Sequence, residues 1–322
     1  MSKISRKQRI AENEISEVRV ISLGGIPQKV MLEGKKKSNP LVIFLHGGPG
    51  LPIPFSVGCR GLFPDITKDL TLVCWDQFGC GANNAPIDNS FTIDRFVDMT
   101  FDLIKEIRSL FPDNKILLLG MSWGSILAMR AAKEAGELID GVVSYGQVLC
   151  NMVFNEEVFA ALEQSDMPAG KKKQLNRLKE QQTVDNAKMI MTWLRKYTEA
   201  YQCKAGEKQS TNGLIWGLLT GPDYRLRDFL AMVANGYAKN NSLLQELTEI
   251  DLREELKEIK VPYVMVQGDH DLVTSTKQVS VCTEQTNNTC IKMVTVENSG
   301  HFPNPAAMDK IFNILKELVG IL

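Results

Sequence analysis

Gly120-Met121-Ser122-Trp123-Gly124 places a serine hydroxyl between two glycines. A hydroxyl attacks a carbonyl carbon only when a base takes its proton, and histidine is the usual base. The chain has three histidines, His46, His270 and His301. A serine presented at a strand-to-helix turn takes its partners in the chain order serine, acid, histidine. His46 precedes Ser122 and fails that order. His270 is flanked by the candidate acids, which leaves no separate strand end for an acid before it. His301, in Asn298-Ser299-Gly300-His301 directly after the run IKMVTVE, stands where catalytic groups of open sheets collect. The acid that orients the imidazole is Asp269 or Asp271, both in the turn after PYVMVQ. Spacing does not choose between them, and the one left over serves turn chemistry. Acyl transfer also needs N–H donors for the developing oxyanion. His46-Gly47-Gly48-Pro49-Gly50 follows the run PLVIFL and offers one donor from Gly47 or Gly48, while the N–H of Trp123, next to the nucleophile, offers the other.

A G-x-S-x-G string arises by chance in roughly one chain in ten of this length, so its surroundings decide its meaning. It follows the apolar run KILLLG and opens the helical text WGSILAMRAAKEAG, the strand–turn–helix that a nucleophile elbow needs. Seven further runs have the same β-branched, apolar character: EVRVISL, PQKVMLEG, PLVIFLHG, LTLVCW, DGVVSYG, PYVMVQG and IKMVTVE. Short, nearly all-apolar runs are how strands covered on both faces of a parallel sheet read in sequence. The first two, parted by Gly24-Gly25, predict an edge hairpin. Between the runs, residues 93–111 carry an apolar stripe ended by Pro112, residues 123–135 predict a helix with Gly136 as its C-cap, and residues 306–320 predict a last helix. The alternation predicts a doubly wound α/β sheet. From Leu149 to Leu247 the text is helical without a strand, which predicts a core over 1–148 and 248–322 with an inserted helical cap over 149–247. The Lys171–Lys173 run within it reads as a solvated helix start.

Composition sets the outer limits. The chain has 322 residues, 44% hydrophobic and 23% charged, with a formal net charge of −1. This suits one globular core with an insertion and carries no electrostatic footprint for nucleic acid. No apolar run approaches the roughly 20 residues that span a bilayer, and MSKISRKQRI lacks the apolar stretch of a secretory signal. Seven cysteines without paired CxxC spacing predict reduced thiols in a cytoplasmic setting and no Cys282–Cys290 bridge. No histidine lies at ligand spacing from these thiols, so no metal is expected.

HGGPG at 46–50, WDQFGCG at 75–81, GMSWGS at 120–125, GDHD at 268–271 and NSGH at 298–301 together resemble the proline iminopeptidase family of α/β hydrolases, over about residues 17–148 and 250–320. The resemblance implies an α/β-hydrolase fold with a mostly parallel eight-stranded sheet, an all-helical cap and a Ser122–Asp271–His301 triad, with Asp271 chosen as the last residue of the G-x-x-D turn. It implies an aminopeptidase that releases an N-terminal residue from a short peptide, without metal or cofactor. A carboxylesterase on the same triad is the alternative, and a non-catalytic binder a third reading. The family's arginine is replaced by Phe78, and Met121 stands where the family has a second glycine before the nucleophile. The cap motif whose acidic residues bind a peptide's amino terminus is not visible. Phe78, Glu156 and Glu157 are taken as pocket residues, with Glu163 also available, although surface-facing helix glutamates are the simpler reading of all three acids.

Overall fold

The computed structural model describes residues 5–52, 60–150, 152–206, 216–217, 219–233 and 237–321. All eight apolar runs become strands: β1 Ile15–Leu23, β2 Ile26–Gly34, β3 Leu41–Leu45, β4 Thr71–Trp75, β5 Ile116–Met121, β6 Gly141–Tyr145, β7 Tyr263–Gly268 and β8 Ile291–Val296. They form one sheet in the order β1-β2-β4-β3-β5-β6-β7-β8. The strands from β4 across to β8 are parallel, and β2 joins the edge of β4 antiparallel. Gly24 and Gly25 both have positive φ, which the tight turn joining β1 to β2 requires.

Every residue of β3 to β7 is buried, because helices cover both faces, whereas the edge strand β8 is only partly covered. Side chains alternate across the sheet plane. Leu41, Ile43 and Leu45 of β3 join the apolar cluster that holds Phe96, Ile104 and Ile107, while Val42 and Phe44 join the cluster that holds Ile311 and Leu315.

The helices before the insertion are α1 Arg6–Glu12, the short α2 Pro64–Thr67, α3 Ile93–Leu110 and α4 Trp123–Glu134. Thr92 caps α3 by accepting from the Arg95 N–H. One expectation fails at α4. It stops at Glu134 with Ala135 as its C-cap, and Gly136 opens a short 3₁₀ turn without positive φ. Gly136 is therefore no left-handed cap.

Between β6 and β7 lie α5 Glu156–Gln164, α6 Ala169–Lys179, α7 Val184–Tyr197, α8 Leu226–Val233 and α9 Asn241–Glu249, with no strand among the described residues. Val158, Leu162, Leu175, Ile190 and Leu194 give α5 to α7 an apolar cluster of their own, which Val273 in the turn after β7 joins. The remaining helices are α10 Thr276–Thr286 and α11 Pro305–Leu318. Cys282 and Cys290 form no disulfide.

Candidate active site

β5 runs directly through Ser122 into α4, and the turn between them is tight enough to dictate its neighbours. A Cβ on Gly124 would lie 1.9 Å from the Leu45 carbonyl oxygen, and one on Gly120 would lie 2.7 Å from the Gly124 carbonyl oxygen. Only glycine permits these approaches, which is the steric content of the G-x-S-x-G pattern. Ser122 itself is held at φ 50°, ψ −118°, with its N–H donating to the Tyr145 carbonyl at 2.8 Å. The turn lifts the hydroxyl above the carboxyl edge of the sheet, at the N-terminal end of α4.

His301 reaches that hydroxyl from the loop after β8. Its Nε2 is 2.9 Å from Ser122 Oγ, and its Nδ1 is 2.8 Å from Asp271 Oδ2. Asp271, in the turn after β7, is fully buried and its carboxylate is saturated: Oδ1 accepts from the Val273 and Thr274 N–H groups, and Oδ2 accepts from the Thr274 hydroxyl. Asp269 turns elsewhere and accepts from His270 Nδ1 and the Ser299 N–H. The choice that spacing left open is thus made by which carboxylate faces His301.

The loop carrying His301 is fixed on two sides. The His301 and Phe302 N–H groups donate to the Ala200 and Tyr201 carbonyls at 2.8 and 3.0 Å. Below them, the Tyr145 hydroxyl donates to the Gly300 carbonyl and pairs with the Ser299 hydroxyl. Burial pushes the Tyr145 phenol far above its usual range, so it stays a neutral donor.

Gly47 and Gly48 line the same cavity as Ser122. Their loop is anchored by His46, whose Nδ1–H donates to the Gly47 carbonyl and whose Nε2 accepts the Gln77 N–H, both at 2.9 Å. Complete burial pushes the His46 imidazole down to about 4, against the opposing pull of the Gly47 carbonyl. Trp123 is the first residue of α4, where a backbone N–H has no acceptor within its own helix. Its indole is buried and donates to Gln77 at 2.7 Å.

The cavity over Ser122 has a volume of about 350 Å³. Met121, Met152, Met191, Val273 and Phe302 supply an apolar wall, and Arg195, Gln202, Asn298 and Asn304 its polar positions; no carboxylate lines it among the described residues. Phe78, Glu156 and Glu157 are not among the lining residues. Phe78 stacks on Phe91 with ring centroids 4.9 Å apart. Glu156 is exposed at the start of α5, Glu157 accepts from the Ser275 hydroxyl, and Glu163 pairs with Lys179. The acids therefore hold helices to one another or face water. Met191, Arg195 and Tyr201 line the cavity instead, and their sequence gives only ordinary amphipathic helix text.

Residues 40–305 match the family described as the alpha/beta hydrolase fold. The chain belongs to the α/β hydrolases. Among curated α/β-hydrolase relatives it is 26% identical over 315 residues to "Probable aminopeptidase YbaC" of Bacillus subtilis (strain 168), covering 91% of this chain and 93% of that one. It is 25% identical over 275 residues to a proline iminopeptidase of Heyndrickxia coagulans, covering 81% and 84% of the two chains. The proline iminopeptidase structure of Mycobacterium smegmatis shares the fold, with a TM-score of 0.63 and 16% identity over 94% of this chain and 98% of that one. No helix of this α/β hydrolase is long and apolar enough to cross a membrane among the described residues.

Proposed function

We propose that this α/β hydrolase is a serine hydrolase that cleaves a small acyl substrate through an acyl-enzyme on Ser122. The observation that carries the reading is the unbroken relay from Ser122 Oγ through both nitrogens of His301 to Asp271. His301 Nε2 takes the hydroxyl proton as Ser122 attacks, then returns it to the leaving group. Water next enters with His301 again as base, and Asp271 holds the Nδ1–H tautomer throughout. The oxyanion is assigned to the N–H groups of Trp123 and of Gly47 or Gly48, where removing one donor typically costs roughly 3–4 kcal/mol of transition-state stabilisation. These steps call for no metal and no organic cofactor. Residues 149–247 act as a cap that limits the site to small substrates and excludes bulk water. A fluorophosphonate probe is expected to label the folded protein and to fail on Ser122→Ala. Failure to label the folded wild type overturns the serine mechanism and favours a binding protein.

The wall of the cavity favours an uncharged, apolar acyl group, as in a short-chain carboxylester. An N-terminal ammonium needs an anionic or strongly accepting partner once desolvated, and the described wall offers an arginine and no carboxylate. The aminopeptidase reading draws its support from the names of the relatives. Aryl acetates and butyrates assayed beside proline and other aminoacyl anilides separate the two. Faster turnover of the anilides overturns the ester reading and leaves the serine mechanism standing.

A further inference from the structure

Cys203 and His270 are 67 residues apart in sequence, yet the thiol sulfur lies 3.7 Å from His270 Nε2. Glu199 completes the group, with a carboxylate oxygen close to the same thiol. One donor atom from each of the three lies within 4.8 Å of the other two. Cys203 is buried and its neighbours half-buried. The other ring nitrogen of His270, Nδ1, is 2.8 Å from Asp269 Oδ1. With Nδ1–H donating there, Nε2 turns its lone pair toward the sulfur.

The sulfur–nitrogen separation is that of two ligands on one metal ion. Zinc–sulfur and zinc–nitrogen bonds of about 2.3 and 2.05 Å at a tetrahedral angle set the two donor atoms about 3.6 Å apart. A carboxylate on the far ring nitrogen is the usual partner of a metal-bound histidine. The same atoms could be read as a second nucleophile, Cys203–His270–Asp269, but the Glu199 carboxylate beside the sulfur opposes a thiolate unless a cation stands between them. The competing contacts on Glu199 are weak obstacles. The Lys204 N–H occupies one oxygen, and the Lys204 ammonium, 3.8 Å from the other, belongs to a side chain 88% exposed that can swing into water.

We propose that Glu199, Cys203 and His270 bind one borderline-soft divalent ion, zinc by preference, with a fourth position left to water. The ion would join the segment after α7 to the turn after β7. That segment contains the Ala200 and Tyr201 carbonyls that hold the His301 loop, and His270 immediately precedes Asp271. Occupancy therefore stiffens the frame of the catalytic relay from outside it.

Metal-stripped, reduced protein titrated with Co²⁺ is expected to take up one equivalent with a near-ultraviolet thiolate-to-cobalt band that Zn²⁺ displaces. Cys203→Ser should abolish the band, and His270→Ala and Glu199→Gln should weaken binding by about tenfold or more. Zn²⁺ should also raise the melting temperature of the wild type and leave that of His270→Ala unchanged. Ser122→Ala should bind Co²⁺ like the wild type, so the outcome is independent of the hydrolase reading. No band in the wild type, or a band that survives in Cys203→Ser, overturns the proposal; so does unaltered affinity in both His270→Ala and Glu199→Gln.

Discussion

Asp271 shows how a single carboxylate is committed to one orientation. Its Oδ1 is claimed by two backbone N–H groups, so Oδ2 must face His301 and the Thr274 hydroxyl. In Asp271→Asn the same N–H groups keep the amide oxygen on their side and turn the NH₂ toward His301. The imidazole then accepts at Nδ1 and carries its proton on Nε2, where it cannot take one from Ser122. By analogy with serine proteases, kcat should fall on the order of 10⁴-fold with little change in KM or stability; a loss under tenfold would remove Asp271 from the relay. His46 makes a different demand. Its folded-state value of about 4 lies below the unfolded value of about 6.5, so between these pH values the unfolded chain binds more protons. Stability falls as pH drops from 6.5 to 4, by on the order of 3 kcal/mol from this residue alone, and no further below that. Urea unfolding at pH 7 and pH 4.5 should show a smaller drop for His46→Gln than for the wild type; equal drops would show that His46 is not held neutral. Ser122 and His301 were legible in the sequence because each sits in a local pattern tied to a strand end. Asp271 was legible only through the family resemblance, since Asp269 stands at the same strand end and spacing does not separate the two. The Cys203–His270 contact was invisible for the same reason, because no spacing rule spans 67 residues.

Elements were easier to read than residues because burial leaves its mark on whole segments. Strands with helices on both faces have no polar alternation to conceal them, so β3 to β7 read as continuous apolar runs. Helix ends depend on one or two dihedral angles, and there Gly136 misled: a glycine just beyond a helix is only permission for a left-handed cap. Glu156 and Glu157 could be named only as candidates, because a helix face gives no sign of whether it turns to water, to a neighbour or to a cavity. The junction of β5 and α4 yields a sharper test. A methyl group on Gly124 would collide with the backbone of β3 at Leu45, and neither strand nor helix can yield without opening the sheet. Gly124→Ala should lose about 3 kcal/mol or more of stability, or fail to fold. Gly170, in the first turn of α6 with nothing within 4 Å of its absent Cβ, is the control. There Gly→Ala should be neutral or stabilising by up to about 1 kcal/mol. Equal urea midpoints for the two variants would remove the steric account of the elbow glycines.

At the scale of the whole molecule the site is shared between two bodies of sequence. The sheet edge brings Ser122, Asp271 and His301 to fixed distances, while the helical segment between β6 and β7 closes the space above them with Met191, Arg195 and Tyr201. The three polar side chains and the wall above them thus come from different segments of the chain. A cavity of about 350 Å³ lies at the small end of the roughly 300–1,000 Å³ range of small-molecule sites. In a series of aryl esters, kcat/KM should therefore peak at a short acyl chain and fall by about tenfold or more for long-chain esters, whose extra methylenes have no apolar wall to enter. Met191 on α7 is one of the residues that sets this limit, and Met191→Ala should move the optimum to longer chains. The gain for those substrates should be about tenfold, equivalent to roughly 1.4 kcal/mol of recovered apolar contact, with acetate turnover little changed. An identical chain-length profile in the variant would mean that the helical segment does not bound the acyl pocket. A uniform loss across the series would instead mean that Met191 supports the relay rather than the pocket wall.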